Sequence, residues 1–332
     1  MSKLVSFSEF GPAHRVCNVH EAADPPPPGP GQVLVEVELF PINPVDLLTV
    51  AGRYATRPTL PATPGSEALG RVVETGEGVE HVRDGDRVLL MGRENWAQRK
   101  IIAASEALPI TVDADPRQLA MLKINPATAL LMLTRYRQLE PGSWVLQNAA
   151  NSGVGHYVIQ LARARGLKTI NVVRRPDVRG ELEAAGADAV LVDGPELKSQ
   201  VAEIAGSDLP ALALDAVAGE ATGRLAACLA DGAAVVNYGL LSGQACQMDP
   251  FDVVFRRVDL TGFWLVAHLG KMEDAQRVAM YQDLAQEVAR GQLHTRIERV
   301  YPLGAVRAAL EHASRDGRSG KVLVAPNGDN AG

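Results

Sequence analysis

Apolar positions follow two different rhythms along this chain. Through the first hundred residues a period of two prevails. In Gln32-Val-Leu-Val-Glu-Val-Glu-Leu39 every second side chain is apolar, which reads as a strand with one face buried. Gly70-Arg-Val-Val-Glu-Thr75 and Arg87-Val-Leu-Leu-Met91 read likewise, separated by the turn residues Gly76, Gly78 and Gly85. Pro25 to Pro28, followed by Gly29-Pro30-Gly31, marks a turn or short linker that no helix or central strand crosses. A compact, mostly β unit with many turns is expected here.

Near residue 115 the rhythm changes. Residues 118–139 are rich in Ala and Leu at helical spacing and end at Pro141-Gly142, predicting one long helix. Strands then alternate with helices: a strand over 145–148, a helix from Gly153, a strand over 169–173, a helix over 178–185, and strands over 189–192, 212–216 and 233–238. Short apolar strands alternating with helices of about 10–15 residues predict a parallel, doubly wound sheet. Residues 253–264 are apolar enough to read as an edge strand that needs cover. A helix follows from about Ala267, then a strand over 296–301, a helix over 303–313 and a last strand over 320–325. The expected domains are therefore residues 1–117 with 267–332, mostly β, and residues 118–266, the parallel-sheet unit.

At 332 residues the chain has room for these two domains, at about 150 residues each. Acidic residues outnumber basic ones 39 to 33, a net charge of −6, which argues against a nucleic-acid face or a polybasic membrane anchor. With 5% aromatic residues, the core must be built mainly from Ala, Val and Leu. Cys17, Cys228 and Cys246 form no C-x-x-C pair, and the histidines show no H-E-x-x-H spacing. A disulfide framework and a four-thiolate zinc site are therefore not expected. No run approaches the roughly 18 apolar residues of a membrane span, and the N-terminus enters a strand at once. A reduced cytoplasmic setting is the expectation.

The first chemical signal is Val145-Leu-Gln-Asn-Ala-Ala-Asn-Ser-Gly-Val-Gly155, a strand feeding a glycine turn at a helix start. Free backbone N–H groups and the helix dipole there suit a pyrophosphate. As a G-x-G-x-x-G pattern it is degenerate, because Ala150 and Ser152 replace the first two glycines. Its place at the head of a strand–helix series points to dinucleotide binding by Asn151, Ser152, Gly153 and Val154, against a bare structural turn. About twenty residues on, the second strand ends in Asn171-Val-Val-Arg-Arg-Pro176. An NAD site would place an acid there for the ribose hydroxyls. Arg174 and Arg175 instead offer guanidinium forks for a 2′-phosphate, which favours NADPH over the alternative of two solvated arginines. Tyr238, Gly239, Leu240 and Leu241 follow another strand at its carbonyl end, where ligands sit in open α/β sheets.

Further motifs extend along nearly the whole chain: Ile42-Asn-Pro-Val-Asp46, Gly52-Arg-Tyr54, Pro64-Gly-Ser-Glu-Ala-Leu-Gly70, Asn125-Pro-Ala-Thr-Ala129, Thr169-Ile-Asn-Val-Val-Arg174 and Phe263-Trp-Leu265. With the glycine turn they resemble the medium-chain dehydrogenase/reductases, and among these the zinc-free trans-2-enoyl thioester reductases of mitochondrial type. The resemblance implies an α/β architecture: a GroES-like, mostly β catalytic domain interrupted by a Rossmann domain, with the active site in the cleft between them. Where zinc-dependent alcohol dehydrogenases carry catalytic Cys and His, this chain has Asn43 and Ser66, and the four-cysteine lobe is missing. No catalytic zinc is expected.

In these reductases a tyrosine of the Gly-x-Tyr segment is the proposed acid, and Tyr54 matches it. A phenol, protonated at neutral pH, can donate to the thioester oxygen or protonate the α-carbon; the alternative is a loop tyrosine packed over Pro58 and Pro61. The resemblance puts Asn125 and Thr128 near the nicotinamide ribose and carboxamide, although Asn125 before Pro126 also suits a helix N-cap. It puts Phe263, Trp264, Leu265 and Val266 along the nicotinamide and acyl pocket, with a buried or subunit-edge strand as the alternative. Lys321 matches a lysine that contacts cofactor phosphate, with an ordinary surface lysine as the alternative. Glu67 reads as a satisfied buried carboxylate, His156 as packing, and His268 as a candidate for the pocket border. The implied activity is NADPH-dependent reduction of the C=C bond of an enoyl thioester, carried on CoA or an acyl carrier protein, by a homodimer. A quinone or small-enone reductase, and a non-catalytic NADPH-binding sensor, are the alternatives.

Overall fold

The structure is a computed structural model that describes residues 1–315, 317–318 and 320–329. Two compact units make it up: Met1–Ile124 with Asp274–Gly332, and Asn125–Glu273.

In the first unit the long strand Gln32–Pro41 is the centre of a seven-stranded sheet. One of its edges pairs with Leu69–Thr75, which leads on to Arg87–Leu90 and Ala107–Pro109. The other takes Arg99–Ala103 along its first half and Lys321–Ala325 at its end, with Ile297–Pro302 beyond. The period-two pattern decides which face is covered: Val33, Val35 and Val37 are fully buried, while Glu36 and Glu38 are not. Phe40 stacks on Trp96 with ring centroids 5.3 Å apart. The last strand is contributed from far along the chain, which is why the unit closes only after the second has been inserted.

The second unit is a six-stranded parallel sheet. In chain order its strands are Trp144–Gln147, Lys168–Val173, Ala189–Val192, Leu212–Asp215, Ala234–Asn237 and Asp259–Gly262. Their spatial order is third, second, first, fourth, fifth, sixth, and each neighbouring pair is parallel. Leu146, Ile170, Val172, Ala213 and Val235 form its core, as expected of strands covered on both faces. The order reverses between the first and fourth strands. That switch point opens a crevice at the carboxyl ends, the usual ligand site of such sheets.

Several elements differ from what the pattern predicts, among them the helix expected from about Ala267, which is two, Leu265–Leu269 and Asp274–Ala289. The expected helix over 118–139 is broken into Pro116–Leu119 and Asn125–Arg135. Between them Glu67 captures the N–H of Ile124 and the Lys123 side chain is drawn away to backbone carbonyls, so the chain is held off the helical path. The expected edge strand over 253–264 is strand only over Asp259–Gly262: its first two residues finish the helix Pro250–Val254, which Asp249 caps by accepting from the N–H of Phe251 at 2.8 Å. The helix over 178–185 shortens to Arg179–Ala184 behind a 3₁₀ turn, and the helices Leu197–Ala205 and Glu220–Ala227 fill the two gaps between strands for which the pattern gave no bounds. The units also divide later than 117/118 and 266/267. Gln118 exchanges hydrogen bonds with Thr295 in the first unit, and His268 meets Phe263 and Tyr136 in the second. No helix among the described residues is long and apolar enough to cross a membrane.

Candidate active site

In the first unit, Asn43 begins the helix Pro44–Val50 in a capping box, its N–H donating to Asp46 Oδ2 at 2.9 Å. The other oxygen of Asp46 accepts from the N–H of Ser66 at 2.8 Å. Ser66 follows Gly65, whose φ of +116° no other residue adopts easily and whose Cβ would lie 2.6 Å from the Trp96 ring. The Asn43 amide then links two opposite charges. Its Nδ2 donates to Glu67 Oε1 at 2.6 Å, and its Oδ1 accepts from the Lys321 ammonium. Glu67 Oε2 takes the N–H of Ile124 at 3.0 Å, and Lys123 donates to the carbonyls of Ser66 and Gly92.

All these side chains are buried, so each charge is costly unless matched. Burial pushes the Glu67 carboxyl up to about 7, opposed by Lys321, the Asn43 hydrogen bond and Lys123. Burial raises Asp46 as well, opposed by the donors at Asn43 and Ser66. The ammoniums of Lys123 and Lys321 are both pushed down to about 8 by burial, with Glu67 acting against the shift. Two carboxylates therefore face two ammoniums.

This arrangement corrects one expectation. Lys321 is not an ordinary surface lysine; it opens the last strand, is 7% exposed, and its ammonium is bound to Asn43 beside Glu67. Glu67 fits its reading as a satisfied carboxylate. The donor set around Asn43 and Ser66 does not suit a metal. The Asn43 amide is engaged on both sides, a lysine cation sits among the carboxylates, and no three His, Cys, Asp or Glu side chains cluster among the described residues.

Tyr54 lies half-buried in the loop after the helix Pro44–Val50. The Arg93 guanidinium sits over its ring, 5.2 Å from the centroid, and also donates to Thr49 Oγ1 at 3.2 Å.

In the second unit, Ser152 caps the helix Gly153–Ala164 and accepts from the N–H of Gly155 at 3.1 Å. A Cβ at Gly155 would lie 2.3 Å from the Ala150 carbonyl oxygen, so only glycine lets the turn close this tightly. Gln147 ties the strand end to the turn, donating to the Gly155 carbonyl at 3.0 Å and to Asn171 at 2.7 Å. Asn151, Ser152, Gly153 and Val154 are partly exposed at this helix start, where the first N–H groups have no acceptor within the helix. Arg174 and Arg175 follow the second strand and are exposed, Arg175 lying 3.5 Å from Asp177. A nicotinamide dinucleotide fits these groups: a tight glycine turn for the pyrophosphate, and two cations where the adenosine ribose would end.

The other expected residues are placed as follows. Asn125 and Thr128 are buried in the first turn of Asn125–Arg135, and Asn125 is its first helical residue rather than a cap. The Tyr238 hydroxyl is buried; burial raises it above the usual phenol range, with Ser152 opposing, so the tyrosine adjoins the turn. Gly239 follows it, and Leu240 and Leu241 are exposed. Phe263 is buried and stacks on His268 at 4.6 Å, while Trp264 and Val266 are exposed and Leu265 opens a short helix. His156 lies 3.3 Å from Glu181 on the turn's helix.

The sequence reading passed over Asp215. Fully buried at the end of the fourth strand, it accepts from Asn148 Nδ2 at 2.6 Å, the N–H groups of Val217 and Ala218, Thr222 Oγ1 at 2.6 Å, and Asn237 at 3.2 Å. One carboxylate thus ties together the carbonyl ends of the first, fourth and fifth strands, from which the candidate loops spring. The signal available was a polar residue at the same level, Asn148, Asp215 and Asn237, at the end of three apolar strands.

The alcohol dehydrogenase GroES-like domain model matches residues 29–103, and the zinc-binding dehydrogenase model matches residues 153–282. The mitochondrial enoyl-[acyl-carrier-protein] reductase of Bos taurus is 34% identical over 306 residues, 89% of this chain and 81% of its own. Among solved structures, a putative NADPH:quinone reductase from Bacillus thuringiensis is 29% identical with a TM-score of 0.90, covering 98% of both chains. A mitochondrial 2-enoyl thioester reductase heterodimer from Candida tropicalis, 23% identical with a TM-score of 0.87, covers 98% of this chain and 99% of that one, and shares the fold. The chain is an oxidoreductase and belongs to the medium-chain dehydrogenase/reductase family. Within it, the chain is homologous to the mitochondrial enoyl-acyl carrier protein reductases.

Proposed function

We propose that this enzyme uses NADPH to reduce the C=C bond of a trans-2-enoyl thioester. The observation that carries the reading is the identity to the bovine enoyl reductase along 89% of the chain. When bound, NADPH would be the source of the hydride for the β-carbon. The Gly153 helix start and its Ser152 cap would bind the pyrophosphate, and Arg174 with Arg175 would hold the 2′-phosphate. Asn125 and Thr128 orient the nicotinamide ribose and carboxamide. Tyr54 donates its phenolic proton toward the thioester oxygen or the α-carbon, so that charge developing on the oxygen meets a donor. Phe263 to Val266, with Tyr238 to Leu241, border the nicotinamide and acyl group.

The chain pairs as a homodimer in this reading. The strand Asp259–Gly262 ends its sheet, and Phe251, Val254, Phe255 and Trp264 are exposed nearby. A second reading, reduction of quinones or small enones, is favoured by the structural relative named as a putative NADPH:quinone reductase.

A steady-state assay with crotonyl-CoA, a longer enoyl-CoA and a quinone separates the two. Turnover of the thioesters, falling about 10²-fold in kcat for Tyr54→Phe with NADPH affinity kept, is expected. Turnover of the quinone alone overturns the thioester reading, and an unchanged kcat removes Tyr54 as the acid.

A further inference from the structure

We propose that Arg93 is a positioning residue for this reaction, holding the Tyr54 ring in the attitude from which it delivers its proton. The inference rests on the reading of Tyr54 as the acid.

Tyr54 lies outside any helix or strand, so contacts rather than ladder hydrogen bonds must fix its ring. Arg93 supplies a planar cation over one face, 5.2 Å from the centroid. Its own freedom is limited by a second anchor. Thr49 Oγ1 donates to the Val45 carbonyl at 2.7 Å, which leaves its lone pairs for the Arg93 donor at 3.2 Å. The guanidinium is therefore pinned on the helix Pro44–Val50, directly before the loop that carries Tyr54.

The backbone beneath Arg93 is held just as firmly. Gly92 carbonyl accepts from Lys123 at 2.6 Å and from the Asn95 amide at 3.1 Å. Arg93 carbonyl accepts from Lys100 at 2.6 Å, and the same ammonium reaches the Glu94 carbonyl at 3.2 Å. Glu94 has a φ of +63°, a conformation that costs a non-glycine residue energy and persists only when its surroundings impose it. Buried Lys123 and half-buried Lys100 clasp the carbonyls of this one short segment, and the side chain that the segment presents is Arg93.

The experiment compares Arg93→Gln, Arg93→Lys, Tyr54→Phe and the double variant Arg93→Gln/Tyr54→Phe, reading kcat and KM with an enoyl thioester and NADPH. Arg93→Gln is expected to lower kcat about 3–5-fold, the order of one cation–π contact at an exposed arginine, with KM within about 2-fold. Arg93→Lys keeps the cation and should recover part of the loss. On the Tyr54→Phe background Arg93→Gln should add nothing, because the group it positions is gone. Additive losses, or a change confined to KM, overturn the proposal by making Arg93 an independent substrate contact. A readout free of turnover is the ¹⁹F spectrum of protein labelled with 3-fluorotyrosine, the Tyr54 line being the one absent in Tyr54→Phe. That line should move in Arg93→Gln and move less in Arg93→Lys; an unmoved line overturns the clamp. Full activity of Tyr54→Phe instead overturns the reading of Tyr54 as the acid.

Discussion

Replacing Lys321 with Met leaves an apolar side chain of similar length and removes one of the two ammoniums that face Glu67 and Asp46. Lys321 is 7% and Glu67 0% exposed, so the abandoned carboxylate has no water to turn to. Breaking a buried pair of this kind costs roughly 3–5 kcal/mol. At about 2–4 °C per kcal/mol for a unit of this size, Tm at pH 8 should fall by roughly 6–20 °C. The deficit should depend on pH in a definite direction. Burial already raises Glu67 from 4.5 to about 7, and Lys321 is first among the groups holding it down, so the variant's carboxyl rises further. A folded pKa above the unfolded one gives stability that is fully present below about 4.5 and is lost as pH rises through 7 and beyond. The lysine's own linkage has the opposite sign: pushed down from 10.5 to about 8, its charged form costs the wild type stability below about 8, a cost that fades only as pH rises beyond and that Met does not carry. At pH 5.5 the variant should therefore lie close to the wild type. Glu67→Gln on top of Lys321→Met should recover most of the loss at pH 8, because a neutral amide needs no counter-ion. Circular dichroism melts at pH 5.5 and pH 8 provide the measurement. Equal deficits at the two pH values, or none at pH 8, would refute the reasoning.

The cofactor reading predicts that Arg174→Ala/Arg175→Ala weakens NADPH binding by one to two decades per lost contact, each worth about 1.5–3 kcal/mol, with NADH binding nearly unchanged in a fluorescence titration. Equal losses for both cofactors would count against it. Gly155→Ala, whose methyl would meet the Ala150 carbonyl oxygen at 2.3 Å, should shift the helix start and abolish measurable NADPH binding at micromolar protein; wild-type affinity would show that the turn is not the pyrophosphate site. Sedimentation at micromolar concentration should give about twice the 35.3 kDa chain mass, and a monomer would leave the Asp259–Gly262 edge unpaired.

Local pattern was enough for much of the fold. Alternation over Gln32–Pro41 and the strand–helix rhythm after Trp144 depend on periodicities of two and 3.6, which each segment carries in itself. The glycine turn and the two arginines after the second strand were legible for the same reason, since a helix start and a strand end are local events. Val253 and Val254 misled because valine is apolar in either state, and the Asp249-Pro250 cap decided for helix.

What only the tertiary structure decided is which distant polar residues meet. Lys321 stands 278 residues from Asn43, and nothing local distinguishes it from a surface lysine until the last strand lies against Gln32–Pro41. Asp215 likewise reads as an ordinary strand end until Asn148 and Asn237 arrive beside it from neighbouring strands. Arg93 comes over Tyr54 from a loop whose carbonyls Lys100 and Lys123 hold from elsewhere in the chain. Periodicity tells a chain which faces to bury. The partners of a buried charge are chosen by strand order, because desolvation makes any unmatched arrangement too costly to survive folding.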